Sequence, residues 1–435
     1  MEPPVRDVAK PAFRVAACSA LLGFIVGVIS AAEPSLGQGR ALASTAPDWP
    51  QWRGPRRDGI SSERGLLQEW PAGGPKLSWT ANGLGRGFGS PIIVEDSIYL
   101  GGDVGEDLVV VALDLAGKER WRTANGKKWV ASVPGGRATC CYDNGRLYLL
   151  NAHGRLACLN AADGAEVWAV NILERFESNN ITWGISESVL VDGKAVFVTP
   201  IGKKALMAAL DKETGATLWT TPAIPNETPT YSSAILVELN GRRQLINCGD
   251  KHVFGVDAAN GALIWQQPHV IAAVIGMSPV YCEGSVYVGN TTKDLGKAYR
   301  LKLDGKEPRI AWTQDLTDTE CGNLLCVDGM VLGSRKRNFK EWLCLSAETG
   351  EIWHTETNLA SGSAVYADKR FYCLTVNGTV SLHQRVGQGL LTVGRMDVVT
   401  GKQDVWAHPV VYGGRLYVRY HDTLHCYDIR QEPPR

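Results

Sequence analysis

Three side chains differ from the residue types that recur at equivalent positions of this chain, and they could bind a cation or a polar ligand. Glu187 directly precedes Ser188, where the equivalent positions elsewhere carry mostly small residues. Asn323 and His408 each replace the serine or threonine that recurs at the position of Ser188. Carboxylate and amide oxygens are ligands of Ca²⁺ in proteins, so Glu187 and Asn323 are the metal ligands that this pattern indicates. The alternative for Glu187 is a solvated charge at the end of a loop.

Two residues that precede Glu187 in the sequence, Asn180 and Trp183, complete the candidate binding set. Together with Glu187, Asn323 and His408 they are predicted to lie at the mouth of a central channel. The alternative for Asn323 and His408 is hydrogen bonding between neighbouring repeats. No catalytic residue can be assigned, because the chain contains no motif typical of a catalytic triad, a P-loop or a helical metal site.

Further acidic residues and an adjacent cysteine pair are additional candidates. Asp315, Asp318 and Glu320 could supply a second carboxylate from another repeat. Cys140 and Cys141 could form a disulfide between adjacent residues, but their place in an opening strand favours thiols that fill the core.

A recurring phrase indicates which elements must position these side chains. Residues 209–219 combine the end of a strand, a turn through Thr214 and Gly215, and the start of another strand. The tryptophans that close the phrase lie 41 to 51 residues apart, a period typical of propellers and solenoids. Trp219 is expected to pack against the neighbouring unit. The closing tryptophans are Trp121, Trp168, Trp219, Trp265, Trp312 and Trp353.

A second repeated position indicates eight units, each long enough for four strands. This predicts an all-β fold, an eight-bladed β-propeller of four-stranded blades. A strand at 76–80 is predicted to complete the eighth blade and close the ring, and the fourth strand of the seventh blade is placed at 390–396. The serine and threonine members are predicted to hydrogen-bond from blade to blade. This register set is Ser90, Thr139, Ser188, Ser233, Ser278, Asn323, Ser363 and His408.

The N-terminal residues are expected to precede the propeller. Arg6, Lys10 and Arg14 come before an uncharged run over 15–32, which predicts a signal peptide at 1–32. The alternative is an uncleaved membrane anchor. Residues 33–75 are interpreted as a tether followed by a tryptophan-rich strap over 48–75, residues 76–430 as the propeller and residues 431–435 as a tail. Either interpretation of the N-terminus predicts export to the periplasm or cell envelope.

Composition limits the classes of partner. The 435 residues contain 45 lysines and arginines and 45 aspartates and glutamates, so no overall charge favours nucleic acid or anionic lipid. The cysteine positions argue against a dense disulfide framework, although the thiols of an exported protein can be oxidised.

The repeats resemble those of the quinoprotein dehydrogenase-like propellers, with Ser-Pro, Asp-Gly and Tyr followed by Ala-Leu-Asp, Thr-Gly and Trp. The resemblance spans 76–430, and the segment 48–55 is similar to that of exported planctomycete proteins described as PQQ-binding-like or BamB-like propellers. It implies one of two functions. In the dehydrogenases of this group, a Glu, an Asn and an Asp hold PQQ and Ca²⁺ in the central channel. The BamB-like scaffolds bind protein partners and no cofactor.

The leading hypothesis is a non-catalytic exported scaffold that binds a protein or cell-envelope ligand, without a cofactor and without nucleic acid. The second is a PQQ- and Ca²⁺-dependent alcohol or sugar dehydrogenase that uses Glu187 and Asn323. The third is a carbohydrate-binding protein that uses the tryptophans of the strap.

Overall fold

The computed structural model describes residues 40–41, 49–271, 276–291, 296–304, 307–315, 322–335, 340–398 and 404–431. All of them belong to one compact unit, 37–435. The predicted signal peptide at 1–32 lies outside the described residues. Within the described ranges the α-helix is Ile172–Arg175, and no helix there is long and apolar enough to cross a membrane.

The described strands form eight antiparallel sheets, which are the blades of the predicted propeller. In blades 1 to 7 the four strands follow chain order. The first strand is innermost, since first strands of neighbouring blades contact one another. The strand Lys76–Ala81 pairs with Thr423–Asp428 and completes blade 8, which confirms the predicted closure. The strand Gly389–Asp397 confirms the predicted fourth strand of blade 7.

The bounds of all strands follow, from innermost to outermost in each blade. Blades 1 and 2 contain Ile92–Val94, Ser97–Val104, Asp107–Asp114 and Glu119–Lys127, then Cys141–Asp143, Arg146–Leu150, Arg155–Asn160 and Glu166–Asn171. Blades 3 and 4 contain Leu190–Asp192, Ala195–Val198, Ala208–Asp211 and Thr217–Thr220, then Ile235–Leu239, Arg242–Cys248, His252–Asp257 and Leu263–Pro268. Blades 5 and 6 contain Val280–Cys282, Ser285–Thr291, Gly296–Lys302 and Arg309–Gln314, then Leu325–Val327, Met330–Ser334, Glu341–Ser346 and Ile352–Thr357. Blades 7 and 8 contain Gly362–Ala367, Arg370–Thr375, Thr379–Val386 and Gly389–Asp397, then Val410–Tyr412, Arg415–Tyr420, Thr423–Asp428 and Lys76–Ala81.

The hydroxyls of the register set join the blades around the channel, as predicted. The backbone N–H of Ser90 donates to Thr139 Oγ1 over 2.9 Å, and the N–H of Thr139 donates to Ser188 Oγ over 3.0 Å. The same bond recurs from Ser188 to Ser233, from Ser233 to Ser278 and from His408 to Ser90. The innermost strands of blades 8, 1, 2, 3, 4 and 5 are therefore joined in sequence at the same height in the ring.

The recurring phrase is a joint between blades. Gly215 adopts a φ of +71°, and a Cβ there would lie 2.8 Å from the ring of Trp168 in the preceding blade. The indole N–H of Trp168 donates to the carbonyl of Lys212 in the same turn over 2.9 Å. The prediction for Trp219 is confirmed, because its ring lies against Gly261 of the next blade. The pairs of turn glycine and preceding tryptophan are Gly117 with Trp79, Gly164 with Trp121, Gly215 with Trp168, Gly261 with Trp219, and Gly350 with Trp312.

A disulfide that the sequence did not indicate joins blades 5 and 6. Cys282 and Cys326 lie on the innermost strands of these blades and are bonded to each other. Cys140 and Cys141 are free, buried thiols that pack in two different hydrophobic clusters on either side of blade 2. Their predicted role as core fillers is confirmed.

Candidate functional site

The strap, residues 48–75, covers the face of the ring at which the innermost strands end; we call this the strap face. From Trp49 onward it lies in the described part of the chain. Trp49 exchanges two backbone hydrogen bonds with Ile93 of blade 1, of 2.9 and 3.1 Å. Further along, Ser61 donates to Tyr366 of blade 7. The opposite face, which carries the connections between blades, is the open face.

The rest of the strap and the residues Arg40–Ala41 contact further blades. The strap reaches blades 7 and 8 through the backbone N–H groups of Trp70 and Leu67, which donate to Val393 and Ile429. Residues Arg40–Ala41 pair with the innermost strand of blade 4, Ile235–Leu239. A large ligand therefore has access to the ring from the open face.

Two arginines of the strap enter the central channel. Arg57 donates to the carbonyls of Ser188 and Val189 in blade 3 over 2.5 and 3.1 Å. Arg53 donates to the carbonyl of Leu324 in blade 6 over 2.8 Å. Both side chains are 2% exposed, and burial lowers the pKa of each to about 10. Both guanidinium groups remain cationic at neutral pH. The strap therefore places two positive charges in the channel at the height of the register set.

Glu187 lies in the channel wall and is 3% exposed, so the interpretation as a solvated loop charge is wrong. Its two carboxylate oxygens accept from the Thr199 N–H over 2.8 Å and from the Thr199 hydroxyl over 2.6 Å. The hydroxyl also accepts from Asn247 of blade 4. Burial raises the pKa of Glu187 to about 7, against the opposing effects of the Thr199 hydrogen bonds and the Arg57 charge. The carboxylate therefore belongs to a hydrogen-bond network between blades 3 and 4.

His408 and Asn323 lie at the register positions of blades 8 and 6. The His408 ring packs at 5.5 Å from the ring of Trp52, and the guanidinium carbon of Arg53 lies 5.6 Å from the same Trp52 ring. Burial, with the Arg53 charge second, lowers the pKa of His408 to about 3, so the ring is neutral at physiological pH. The side-chain amide of Asn323 is buried and has no hydrogen-bond partner among the described residues.

The residues of the channel do not fit Ca²⁺ with a quinone. Glu187, the candidate carboxylate, already accepts two hydrogen bonds and faces the positive field of Arg57. Asp315 lies on the surface, ion-paired with Lys297, whereas Asp318 and Glu320 lie outside the described residues. Within the described ranges no three His, Cys, Asp or Glu side chains come together as a metal site. Among the described residues, a divalent cation would therefore be repelled by the strap arginines and would find no cluster of carboxylates.

The tryptophans of the strap do not form a carbohydrate platform. Trp49 is 3% exposed and Trp70 is 8% exposed, and the ring of Trp52 lies inside the channel against His408. The hypothesis that these rings bind sugars is wrong, because aromatic stacking requires accessible ring faces.

A repeated position that the sequence analysis missed lies two residues before each member of the register set. At this position the side chains form the rim of the channel on the open face, which we call the open mouth. Phe88 and Trp406 pack with ring centroids 4.6 Å apart, and Ser186 Oγ donates to the carbonyl of Tyr231 over 3.4 Å. The described members are Phe88, Arg137, Ser186, Tyr231, Gly276, Ser361 and Trp406.

The open mouth carries the guanidinium group of Arg137 and is partly apolar. Arg137 stacks on Trp129, with its guanidinium carbon 5.7 Å from the ring centroid. Burial raises the pKa of Asp103 to about 6, with Arg137 opposing. The neighbouring connections expose apolar side chains, because Val130 is 65% and Val133 is 37% exposed. Exposed apolar residues beside a cationic rim are typical of a protein interaction surface.

The candidate site residues therefore separate into two places. Glu187 is buried and His408 is partly buried beside the strap arginines, and Asn323 occupies the equivalent register position of blade 6. Asn180 and Trp183 lie outside the channel on the open face, where the Asn180 amide donates to the carbonyl of Ala152 over 2.8 Å and Trp183 is 41% exposed.

The comparisons with known proteins place this chain within one fold that serves several functions. The family model described as outer membrane protein assembly factor BamB matches residues 105–352 and 256–433. Among curated proteins, tetrathionate hydrolase from Acidithiobacillus ferrooxidans is 24% identical over 274 residues, which are 55% of this chain. The chain spans about half of that relative, since the match covers 52% of it.

Two solved structures share the architecture. BamB from Moraxella catarrhalis has a TM-score of 0.61 at 16% identity, covering 83% of this chain and 99% of that chain. Quinohemoprotein alcohol dehydrogenase from Comamonas testosteroni also has a TM-score of 0.61, at 13% identity, covering 89% of this chain and 81% of that chain. At these identities the likeness shows the fold alone, because one fold carries unrelated functions.

Proposed function

Because this chain belongs to the family described as outer membrane protein assembly factor BamB, we propose that it is an exported, non-catalytic scaffold. Its ligand is a protein of the cell envelope, and the open mouth is the docking surface. The observation that carries this proposal is the contrast between the two faces. Strap residues such as Trp49 and Ser61 bond to the inner strands of the strap face, whereas Val130 and Val133 are exposed on the open face.

The charge of the open mouth defines the partner. Arg137 belongs to the rim, and Arg86 lies close enough to His421 to help burial lower the pKa of that ring. The carboxyl of Asp103 has a pKa raised to about 6 by burial, so it carries a full negative charge only above that pH. A partner segment with acidic and apolar side chains is complementary to this surface, because opposite potentials favour association.

A role without a resident quinone is supported by the contents of the channel. Arg53 and Arg57 occupy it with two cationic groups, and Glu187 is bonded to Thr199. In the dehydrogenase alternative, Glu187 and Asn323 would hold Ca²⁺. That arrangement requires Glu187 to leave Thr199 and the strap arginines to withdraw.

Export is supported by two features. The sequence begins with basic residues followed by an uncharged run over 15–32, as in signal peptides. The disulfide between Cys282 and Cys326 is of a kind that persists in oxidising compartments.

Site-specific photo-crosslinking tests the docking surface in the envelope of the producing cell. A photoreactive amino acid at position 130 is expected to give a discrete crosslinked protein. The matched control is position 386, because Val386 is also a well-exposed valine, at 56%, but ends the third strand of blade 7 at the turn to the fourth. Charge reversal by Arg137→Glu is expected to lower the yield at position 130 by about tenfold, since an acidic partner would be repelled.

The same experiment can reject the proposal. Equal crosslinking at positions 130 and 386, or a yield at 130 that Arg137→Glu leaves unchanged, contradicts docking at the open mouth. Thermal unfolding of the purified Arg137→Glu variant verifies that the ring is intact. Titration of the purified protein with PQQ and Ca²⁺ is expected to show no binding, and dye-coupled alcohol oxidation would instead establish the dehydrogenase alternative.

A further inference from the structure

A groove on the open face between blades 3 and 4 adjoins the open mouth, with which it shares Tyr231. Its volume is about 700 Å³, and it is lined by residues 177–182, 201–203, 223–231 and Asp250. These segments are the connections into blades 3 and 4 and the turns between the second and third strands of those blades. The volume lies within the range of roughly 300 to 1,000 Å³ that is usual for ligand sites.

The backbone of the groove argues against a polypeptide ligand. None of the lining residues belongs to a strand, so an extended peptide would find no sheet edge on which to form main-chain hydrogen bonds. The apolar side chains Ile181, Ile201 and Ile224 are interrupted by amide and hydroxyl side chains. A helix would therefore find no continuous apolar surface.

The polar side chains of the groove can bind a ligand rich in hydroxyl groups. The side chains of Asn179 and Asn226 are exposed and make no hydrogen bond to the residues that the structure describes. Asp250 Oδ1 accepts from the N–H of Thr228 over 2.7 Å, which leaves its second oxygen for a ligand. Each amide offers a donor and an acceptor side by side, which matches neighbouring hydroxyls on a ring.

The groove has no excess of cationic side chains, which argues against an anionic ligand. Glu177 is ion-paired with Lys204 over 2.8 Å, and Glu227 bonds to His252 over 2.6 Å. Lys203 and Asp250 add one charge of each sign. A polyanion such as nucleic acid would find no excess of cations here.

An aromatic pair stands at one end of the groove. Tyr231 lines it, and the Trp183 ring lies 5.4 Å from the Tyr231 ring. Trp183 is 41% exposed, which is unusual for so large an apolar ring. A partly exposed indole that packs on a lining residue of a groove with amide and carboxylate groups suits the C–H face and the hydroxyl edges of a sugar ring.

We propose that this groove binds an uncharged oligosaccharide chain, with one sugar stacked on Trp183 and neighbouring hydroxyls bonded to Asn179, Asn226 and Asp250. The proposal goes beyond protein docking at the open mouth. The crosslink at position 130 reports on protein docking, whereas the Trp183 signal reports on sugar binding, so the two tests have different readouts.

Fluorine NMR of the whole protein labelled with 5-fluorotryptophan tests the groove directly. The signal of Trp183 is assigned from its loss in Trp183→Phe, and that of Trp353 from its loss in Trp353→Phe. Titration with chitotetraose and with cellotetraose is expected to move the Trp183 signal in a saturable manner. The signal of Trp353, on the outermost strand of blade 6, is expected to stay in place.

Variants of the polar side chains complete the test. Asn179→Ala and Asn226→Ala are expected to weaken binding by roughly tenfold each, as for the loss of a hydrogen bond. Both side chains are exposed, so folding is expected to be unchanged, and thermal unfolding checks this. A Trp183 signal that neither sugar moves, or affinity that both alanine variants retain, overturns the proposal. Equal shifts at Trp183 and Trp353 also overturn it, because they indicate non-specific contact.

Discussion

Replacing Trp168 with alanine is expected to lower the free energy of unfolding by about 3 to 5 kcal/mol, the usual cost of deleting a buried aromatic side chain. Trp168 is 9% exposed and covers the turn of the next blade, where it meets Gly215 and bonds to the carbonyl of Lys212. Truncation leaves a cavity between blades 2 and 3 and a carbonyl without its donor. Urea unfolding followed by far-ultraviolet circular dichroism measures the change.

The matched control is the adjacent residue Val167, which is 42% exposed on the other side of the same strand. Val167→Ala is expected to change the free energy of unfolding by less than about 0.5 kcal/mol. Trp168→Phe keeps part of the packing but loses the hydrogen bond to Lys212, so it should fall between the two. Equal unfolding midpoints for Trp168→Ala and Val167→Ala would show that the indole does not hold the joint.

The ring could be predicted from the repeats because equivalent residues make the same packing contacts in each blade. The bond from the Ser90 N–H to Thr139 connects residues 49 positions apart, and the bond from the Thr139 N–H to Ser188 connects residues the same distance apart. Contacts that recur at a constant interval leave a periodic signal in the sequence. The closing strand Lys76–Ala81 was predictable for the same reason, since Trp79 contacts Gly117 as the later tryptophans contact their turns.

The contacts of the strap could not be predicted in this way, because each of them occurs once. Arg53 reaches Leu324 across 271 positions, and Arg57 reaches Ser188 across 131. The three tryptophans in 48–75 indicate that this segment packs against the rest of the chain. Composition does not show that two arginines enter the channel. The disulfide between Cys282 and Cys326 is another single contact without a repeated signal.

At the candidate site, residue type alone does not determine the role of a side chain. Glu187 is a carboxylate at a position of mostly small residues, and its partner is Thr199, across the hairpin of the same blade. Sequence alone does not distinguish an acceptor for protein hydrogen bonds from a metal ligand. The open mouth had a usable signal, since Phe88, Tyr231 and Trp406 share one repeat position two residues before the register set.

The stability of this protein is expected to fall as pH rises from about 4.5 to about 7 because of Glu187. Burial raises the pKa of Glu187 from 4.5 to about 7 in the folded chain. A carboxyl with a raised folded-state pKa favours folding while it is protonated. That contribution is complete below the unfolded pKa and is lost as pH rises through the folded pKa. A shift of this size corresponds to about 3 kcal/mol.

Glu187→Gln removes the ionisation and keeps the shape of the side chain. Its free energy of unfolding, relative to the wild type, is therefore expected to rise by about 3 kcal/mol between pH 4 and pH 8. Glu351→Gln, at an exposed position on blade 6, is the control for which the difference should stay constant. Urea unfolding of all three proteins across this pH range gives the comparison. A constant difference for Glu187→Gln would mean that the carboxyl is solvated or fully neutralised by Arg57. The charge in the channel would then be different, because the two strap arginines would face a carboxylate that is fully ionised at neutral pH.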